Sequence, residues 1–157
     1  MYNLELKNID LIIYDFDGVM TDNRVLVRED GEEAVFCNRS DGLAISKIKR
    51  MGISQLIIST ETNKVVEVRA KKLGIPILHG INNKKEILKK YCKEKNIDLS
   101  KVIYVGNDIN DLEAMKIVGF SVAPADAAKK IKKIAKIITG ARGGEGVVRE
   151  LLNKFKI

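Results

Sequence analysis

The stretch Ile12 to Asp22, IIYDFDGVMTD, ends an apolar run in Asp15 and Asp17, with Thr21 and Asp22 close behind. Carboxylates at the end of a buried strand are costly unless something compensates their charge. Two residues apart in extended chain, Asp15 and Asp17 point to one side and Phe16 to the other. Polar residues also follow the later apolar runs. Ser59, Thr60 and Glu61 come after one, Lys84 after another, and Asn107, Asp108, Asn110 and Asp111 after a third. If Asp15, Asp17 and Asp108 share a crevice, they repel unless a cation sits among them. Oxygen-only ligands beside a phosphate favour Mg²⁺. Ser59 can donate to a phosphate oxygen, and Lys84 can neutralise its remaining charge. Such parts bind a phosphoryl group and stabilise its transfer. One of the first two carboxylates would attack phosphorus; the other would protonate the leaving oxygen and then deprotonate water.

The elements that must position these residues are short and alternate in type. The strand candidates are Leu11–Tyr14, Ser54–Ile58, Pro76–Leu78, Val102–Val105, Phe120–Ala123 and Lys136–Ile138. Helical patterns fall between them at about 42–51, 63–73, 84–95, 109–118 and 126–134. That alternation predicts an α/β fold, a doubly wound and mainly parallel sheet with helices on both faces. Ligands then bind beyond the carboxyl ends of the strands, where the polar residues above fall. Val25–Phe36, two extended runs around Asp30-Gly31, reads as a projecting β-hairpin in place of a larger insertion. The glycine-rich stretch from Gly140 reads as a flexible tail running into a short helix that ends near Leu152. The 157 residues suit a single domain.

Composition narrows the partners. The net charge of +7 is concentrated in Ala127–Lys136, where Ile131, Ile134 and Ala135 recur at helical spacing. Those lysines are the wet face of an amphipathic helix. Aromatic residues are few and no nucleic-acid motif is present, so nucleic acid is not an expected partner. No apolar run approaches a membrane span, and Met1–Asp10 lacks the apolar stretch of a signal peptide. Cys37 and Cys92 are expected as reduced thiols in a cytoplasmic protein. His79, before Gly80, is expected to be structural or exposed.

Each candidate has a plainer reading. Asp108 could cap the helix that follows, with Asp111 in its first turn. Ser59 and Thr60 could be ordinary strand-end residues, and Lys84 one surface lysine among many. Their joint occurrence at successive strand ends outweighs these readings.

DFDGVMTD, IIST, Lys84 and GNDIND together resemble the four motifs of the haloacid dehalogenase superfamily of phosphohydrolases. The resemblance implies Asp15 as nucleophile and Asp17 as general acid/base, with the Asp17 carbonyl also reaching Mg²⁺. It implies Asp108 as third metal ligand, Asp111 and Asn107 as its support, and Ser59, Thr60 and Lys84 as phosphate-binding. GVMTD, the hairpin, ETNKVVEVRAKKLGI and GGEGVVRE are similar to the capless branch acting on ulosonic-acid phosphates. In that branch tetramers form, a neighbour's hairpin walls each site, and the tail can close over it. The implied substrates are 3-deoxy-manno-octulosonate 8-phosphate and the sialate or deaminated sialate (KDN) 9-phosphates. Thr21, Arg39, Glu61, Arg69, Lys72 and Arg142 are the candidates for contacting them. The loop Ser59-Thr60-Glu61 departs from the Thr-Gly-Arg of octulosonate enzymes. Glu61 with Arg69 and Lys72 resembles the nine-carbon group instead. Ser40 precedes Asp41-Gly42 where a basic residue is usual, with Arg39 one position earlier. Three other readings remain open: a general small phosphomonoesterase, a phospho-accepting signalling domain, and an idle scaffold for a sialate synthetase. Asp17 argues against the signalling domain, which has no acid/base placed to discharge an aspartyl-phosphate.

Overall fold

The computed structural model describes residues 4–156. In chain order they form β1 (Leu4–Glu5), β2 (Leu11–Tyr14), β3 (Leu26–Val27), β4 (Glu33–Ala34), α1 (Arg39–Arg50), β5 (Ser54–Ile58), α2 (Lys64–Leu73) and β6 (Ile77–Leu78). Next come α3 (Lys84–Lys95), β7 (Val102–Val105), α4 (Leu112–Met115), β8 (Phe120–Ala123), α5 (Lys129–Ile134), β9 (Ile137–Ile138), α6 (Val147–Asn153) and β10 (Phe155–Lys156). Six strands make one parallel sheet in the order β6-β5-β2-β7-β8-β9. β2 is buried along its whole length because both faces of the sheet are covered. Ile12 and Tyr14 pack with Ile45, Val66 and Leu151 of α1, α2 and α6. Leu11 and Ile13 pack on the opposite side with Leu88, Met115 and Ile131 of α3, α4 and α5. The fold is the expected doubly wound α/β sheet.

The hairpin β3–β4 pairs antiparallel over two residues on each side, Leu26 with Ala34 and Val27 with Glu33. Its turn holds Gly31 at φ 83°, a conformation glycine adopts without strain. Leu26 and Val27 project into solvent, each 63% exposed.

Four local expectations are corrected. α1 begins at Arg39, earlier than expected, because the Asn38 side chain accepts the Ser40 N–H and caps it. The 109–118 segment is a 3₁₀ turn, Ile109–Asp111, followed by the four-residue α4. Reciprocal capping between Asp108 and Asp111 tightens that turn. The stretch from Gly140 is not free: Gly140 and Ala141 donate to the Glu150 carboxylate at 3.0 and 2.8 Å, and Gly144 donates to the Val19 carbonyl at 3.1 Å. Finally, β1 and β10 pair in parallel as a small ribbon with no counterpart in the expected strands. Cys37 and Cys92 are both free thiols. Among the described residues no helix is long and apolar enough to cross a membrane.

Candidate active site

Because β2 lies between β5 and β7, the residues following these three strands leave the sheet side by side. The Asp15 N–H donates to the Val105 carbonyl at 2.9 Å, which continues the ladder by one residue and fixes the aspartate. Asp15 is 4% exposed. The Lys84 ammonium stands 2.7 Å from Asp15 Oδ1 and 2.8 Å from Asp111 Oδ1, and its side chain is fully buried. Asp111 is tied on every side: the Tyr104 hydroxyl donates to its Oδ1 at 3.0 Å, and the Asn107 and Asp108 N–H groups donate to its Oδ2 at 2.9 and 3.3 Å. α3 supplies Lys84 from its first residue, its start fixed by the Asn83 side chain accepting the Glu86 N–H.

One ammonium therefore serves two buried carboxylates. Burial first, and the Asp111 carboxylate second, push the Asp15 carboxyl up to about 8, against the opposing pull of Lys84 and the Phe16 N–H. Burial works to lower the Lys84 pKa, but the two carboxylates outweigh it and raise it, so the lysine stays charged.

Asp17 lies at the other side of the floor. Burial and the Glu61 carboxylate raise its pKa, and the Thr21 hydroxyl, 3.4 Å from Asp17 Oδ1, acts in the opposite direction. Thr21 is fully buried and also accepts the Gly18 and Asn23 N–H groups at 3.2 Å each. It therefore orients Asp17 and has no face for a substrate. Ser59 is buried, and its Oγ accepts the Glu61 N–H at 3.1 Å, which leaves its O–H to donate elsewhere. Thr60 Oγ1 accepts the Asn110 amide at 2.8 Å. These groups line a cleft of about 360 Å³ whose walls include Asp15, Asp17, Asn23, Ser59, Thr60, Glu61, Asn107, Asp108, Ile109 and Asn110. A smaller recess of about 190 Å³ shares Asp17, Asn23 and Glu61 and runs under the hairpin to Glu33 and Asn63.

Asp15, Asp17 and Asp108 all line this cleft, without closing into a cage. Among the described residues no group of three acidic, histidine or cysteine side chains is gathered as a metal cage. Asp15 and Asp17 share the floor, but Asp108 turns its Oδ1 onto the Ile109 N–H at 2.7 Å, as a cap does. The oxygen set nonetheless fits a hard cation. Asn107 is 8% exposed, and its Oδ1 is buried without a hydrogen-bond partner. The Asp17 carbonyl accepts no backbone hydrogen bond among the described residues. Among the described residues none of those lining the cleft carries a positive charge.

Other candidates lie elsewhere. Arg39, Arg69 and Lys72 line a separate groove of about 310 Å³ with Gly42, Leu43, Ser46 and Leu73. The docking of α1 on α2, which the i, i+3 spacing did not reveal, turns them there. Arg69 donates to the Asn38 carbonyl at 3.1 Å. Arg142 is largely exposed, 3.7 Å from Asp126, and does not line the cleft. His79 pairs with Glu67 at 3.0 Å, away from the cleft. Two site residues went unmarked in the sequence. Tyr104 read as strand core, although a buried tyrosine needs a partner for its hydroxyl. Asn23, at φ 65°, is signalled by the Asp-Asn pair of a tight turn.

A sheet of this order, with an aspartate pair beyond its central strand and a buried lysine behind the first, defines a class of hydrolase. Residues 1–151 match the family model described as haloacid dehalogenase-like hydrolase, and the chain belongs to that family of enzymes. It is 37% identical over 146 residues to the 3-deoxy-D-manno-octulosonate 8-phosphate phosphatase of Escherichia coli K12, covering 92% of this chain and 78% of that one. A solved HAD family hydrolase from Streptomyces avermitilis MA-4680 superimposes with a TM-score of 0.95 at 44% identity, covering 98% of this chain and 88% of the other. The octulosonate 8-phosphate phosphatase of Moraxella catarrhalis, solved with magnesium, phosphate and KDO, gives 0.90 at 32% identity over 94% of this chain and 85% of that one.

Proposed function

We propose that the chain is a Mg²⁺-dependent phosphoric monoester hydrolase. Its substrate is the terminal phosphate of a 3-deoxy-2-ulosonic acid, with octulosonate 8-phosphate the leading candidate. The observation that carries this reading is the pair Asp15 and Asp17 on one cleft floor, with Lys84 2.7 Å behind the first. An Asp15 carboxylate oxygen attacks phosphorus, the ester P–O bond breaks, and its electron pair leaves with the alkoxide oxygen. Asp17, its carboxyl raised by burial and by Glu61, gives that oxygen a proton. Asp17 then takes a proton from water, whose oxygen attacks phosphorus. The acyl phosphate bond breaks, and its electron pair returns to Asp15. The Ser59 hydroxyl and Lys84 meet the phosphoryl oxygens, with Thr60 at the rim. Mg²⁺ would be held by Asp15, the Asp17 carbonyl and Asp108, with Asn107 and Asp111 in support. Once bound, it supplies the positive charge that two carboxylates and a phosphate require.

One observation favours a nine-carbon substrate, a KDN or sialate 9-phosphate: Glu61 lies on the cleft wall beside Asp17, where an acceptor meets hydroxyl groups. The resemblance to the capless branch also supports a homotetramer, and the exposed Leu26 and Val27 offer the apolar surface such packing would cover. In that assembly a neighbour's hairpin closes the cleft, and Arg39, Arg69 and Lys72 reach substrate through subunit contacts.

Phosphate release from octulosonate 8-phosphate, both 9-phosphates and simple sugar phosphates tests the reading, with Mg²⁺ or chelator, on wild type and Asp15→Asn. Preference for one ulosonate, lost in chelator and in Asp15→Asn, is the expected result. Equal, slow turnover of every ester overturns the substrate, and no turnover anywhere overturns the activity.

A further inference from the structure

The loop that follows Asp17 is clamped from behind by the glycine strap before α6. A Cβ on Gly143 would stand 2.2 Å from the Gly18 carbonyl oxygen and 2.9 Å from that of Thr21. One on Gly144, at φ 73°, would stand 2.5 Å from the Asp22 nitrogen. Only a backbone stripped of side chains lies that close. The strap is anchored on its far side, where the Gly143 N–H donates to Asp126 Oδ1 at 2.9 Å. The clamped loop contains Thr21, whose hydroxyl reaches Asp17. A continuous path therefore runs from Asp126 through Gly143 and the 18–22 backbone to Thr21 and the Asp17 carboxyl.

We infer that the Gly143-Gly144 strap, anchored by Asp126, positions Asp17 for proton transfer to the leaving oxygen, an inference that rests on Asp17 being the acid/base. The strap touches neither substrate nor the reacting atoms. It sets where the 18–22 loop stands, and so whether the Asp17 proton lies on the line to the departing oxygen. General acid catalysis is sensitive to that alignment, and it matters only when the leaving group departs poorly as an anion. An alkyl ester needs the proton; p-nitrophenyl phosphate, whose leaving group is stable as the anion, does not.

The test compares kcat/KM, which reports departure of the leaving group and not the later hydrolysis of the aspartyl-phosphate that both esters share, for the Mg²⁺-loaded wild type, Asp17→Asn, Gly143→Ala and Asp126→Ala on octulosonate 8-phosphate and on p-nitrophenyl phosphate. Both strap variants are expected to lose about tenfold or more in kcat/KM on the alkyl ester and no more than about twofold on the aryl ester. Asp17→Asn shows the same selectivity more strongly. Equal losses on both esters, or none on either, in a strap variant that melts cooperatively overturn the inference. If Gly143→Ala does not fold, Asp126→Ala decides alone, since it releases the anchor without adding bulk. If Asp17→Asn loses both esters equally, its acid/base role and the strap's role fall together. A selective Asp17→Asn beside unselective strap variants overturns the strap alone.

Discussion

Lys84→Met keeps an unbranched stem in the same buried channel and deletes the ammonium that lies 2.7 Å from Asp15 and 2.8 Å from Asp111. Two buried carboxylates are then left facing a site with no positive charge. Removing one partner of a buried ion pair costs about 3–5 kcal/mol. A domain of this size has about 5–15 kcal/mol in all. The melting temperature should fall by roughly 6–20 °C, at 2–4 °C per kcal/mol. The loss should also depend on pH. With Lys84 present, burial and Asp111 already push the Asp15 carboxyl from its ordinary 3.8 up to about 8. Without the lysine it rises further. A carboxyl whose folded pKa exceeds its unfolded one binds more protons in the native state. Its stabilising effect is complete below about pH 4 and is lost as the pH rises toward the folded value. The cost of Lys84→Met should therefore be larger near pH 8 than near pH 5. Urea unfolding followed by circular dichroism, in chelator, measures it at both. A variant within about 1 kcal/mol of wild type at both pH values would refute Lys84 as the counter-charge.

Three further outcomes follow from other contacts. Burial acts to raise the Glu150 carboxyl, but the Ala141 and Gly140 N–H groups and Lys154 hold it below its ordinary 4.5. That stabilisation is present above about pH 4.5 and is lost as the pH falls through the lowered folded value. Glu150→Gln should cost about 1–2 kcal/mol near neutrality, and its gap from wild type in urea midpoint should close in acid. In Gly18→Ala the new Cβ, built at φ 80°, meets the Asn107 amide nitrogen at 1.9 Å. Displacing Asn107 should weaken Mg²⁺ binding at least about tenfold by calorimetry, and an unchanged affinity would remove Asn107 from the metal's surroundings. Burial, with the nearby Asp111 and Asp15 carboxylates, raises the Tyr104 pKa, so its hydroxyl remains a donor to Asp111. Tyr104→Phe should cost about 1.5–3 kcal/mol in chemical unfolding, because a charged acceptor loses a donor it cannot replace from water.

Much of this architecture was legible because strands buried on both faces read as unbroken apolar runs. Leu11–Tyr14, Ser54–Ile58 and Val102–Val105 keep their expected limits for that reason. Shorter edge strands lost a residue, as at Ile77–Leu78 and Ile137–Ile138, where less pairing holds them. The strand-end rule brought Asp15, Asp17, Ser59, Thr60, Glu61 and Asp108 to one cleft. What it could not express was pairing: that Lys84 bridges Asp15 to Asp111, or that Asp108 spends an oxygen on its own helix turn. Helix docking was equally hidden, and it sends Arg39, Arg69 and Lys72 to another groove. Glycine content was the most misleading signal. Gly143 and Gly144 read as freedom, whereas the structure requires them because another backbone lies within van der Waals reach.

The register of the central strand bears on how the chain is made. Leu11 pairs with Ser54 on one edge and with Val102 on the other. During synthesis β2 precedes its partners, gains β5 as the next strand of the sheet to be made, and keeps its second edge open until β7 follows. An unpaired apolar strand edge invites association with other chains. Contacts this distant in sequence also close slowly. A nascent chain ending before Asp111 holds Asp15 and Lys84 without the third member of their cluster. The buried charges thus meet only after β7 has been made, well after the strand that presents Asp15.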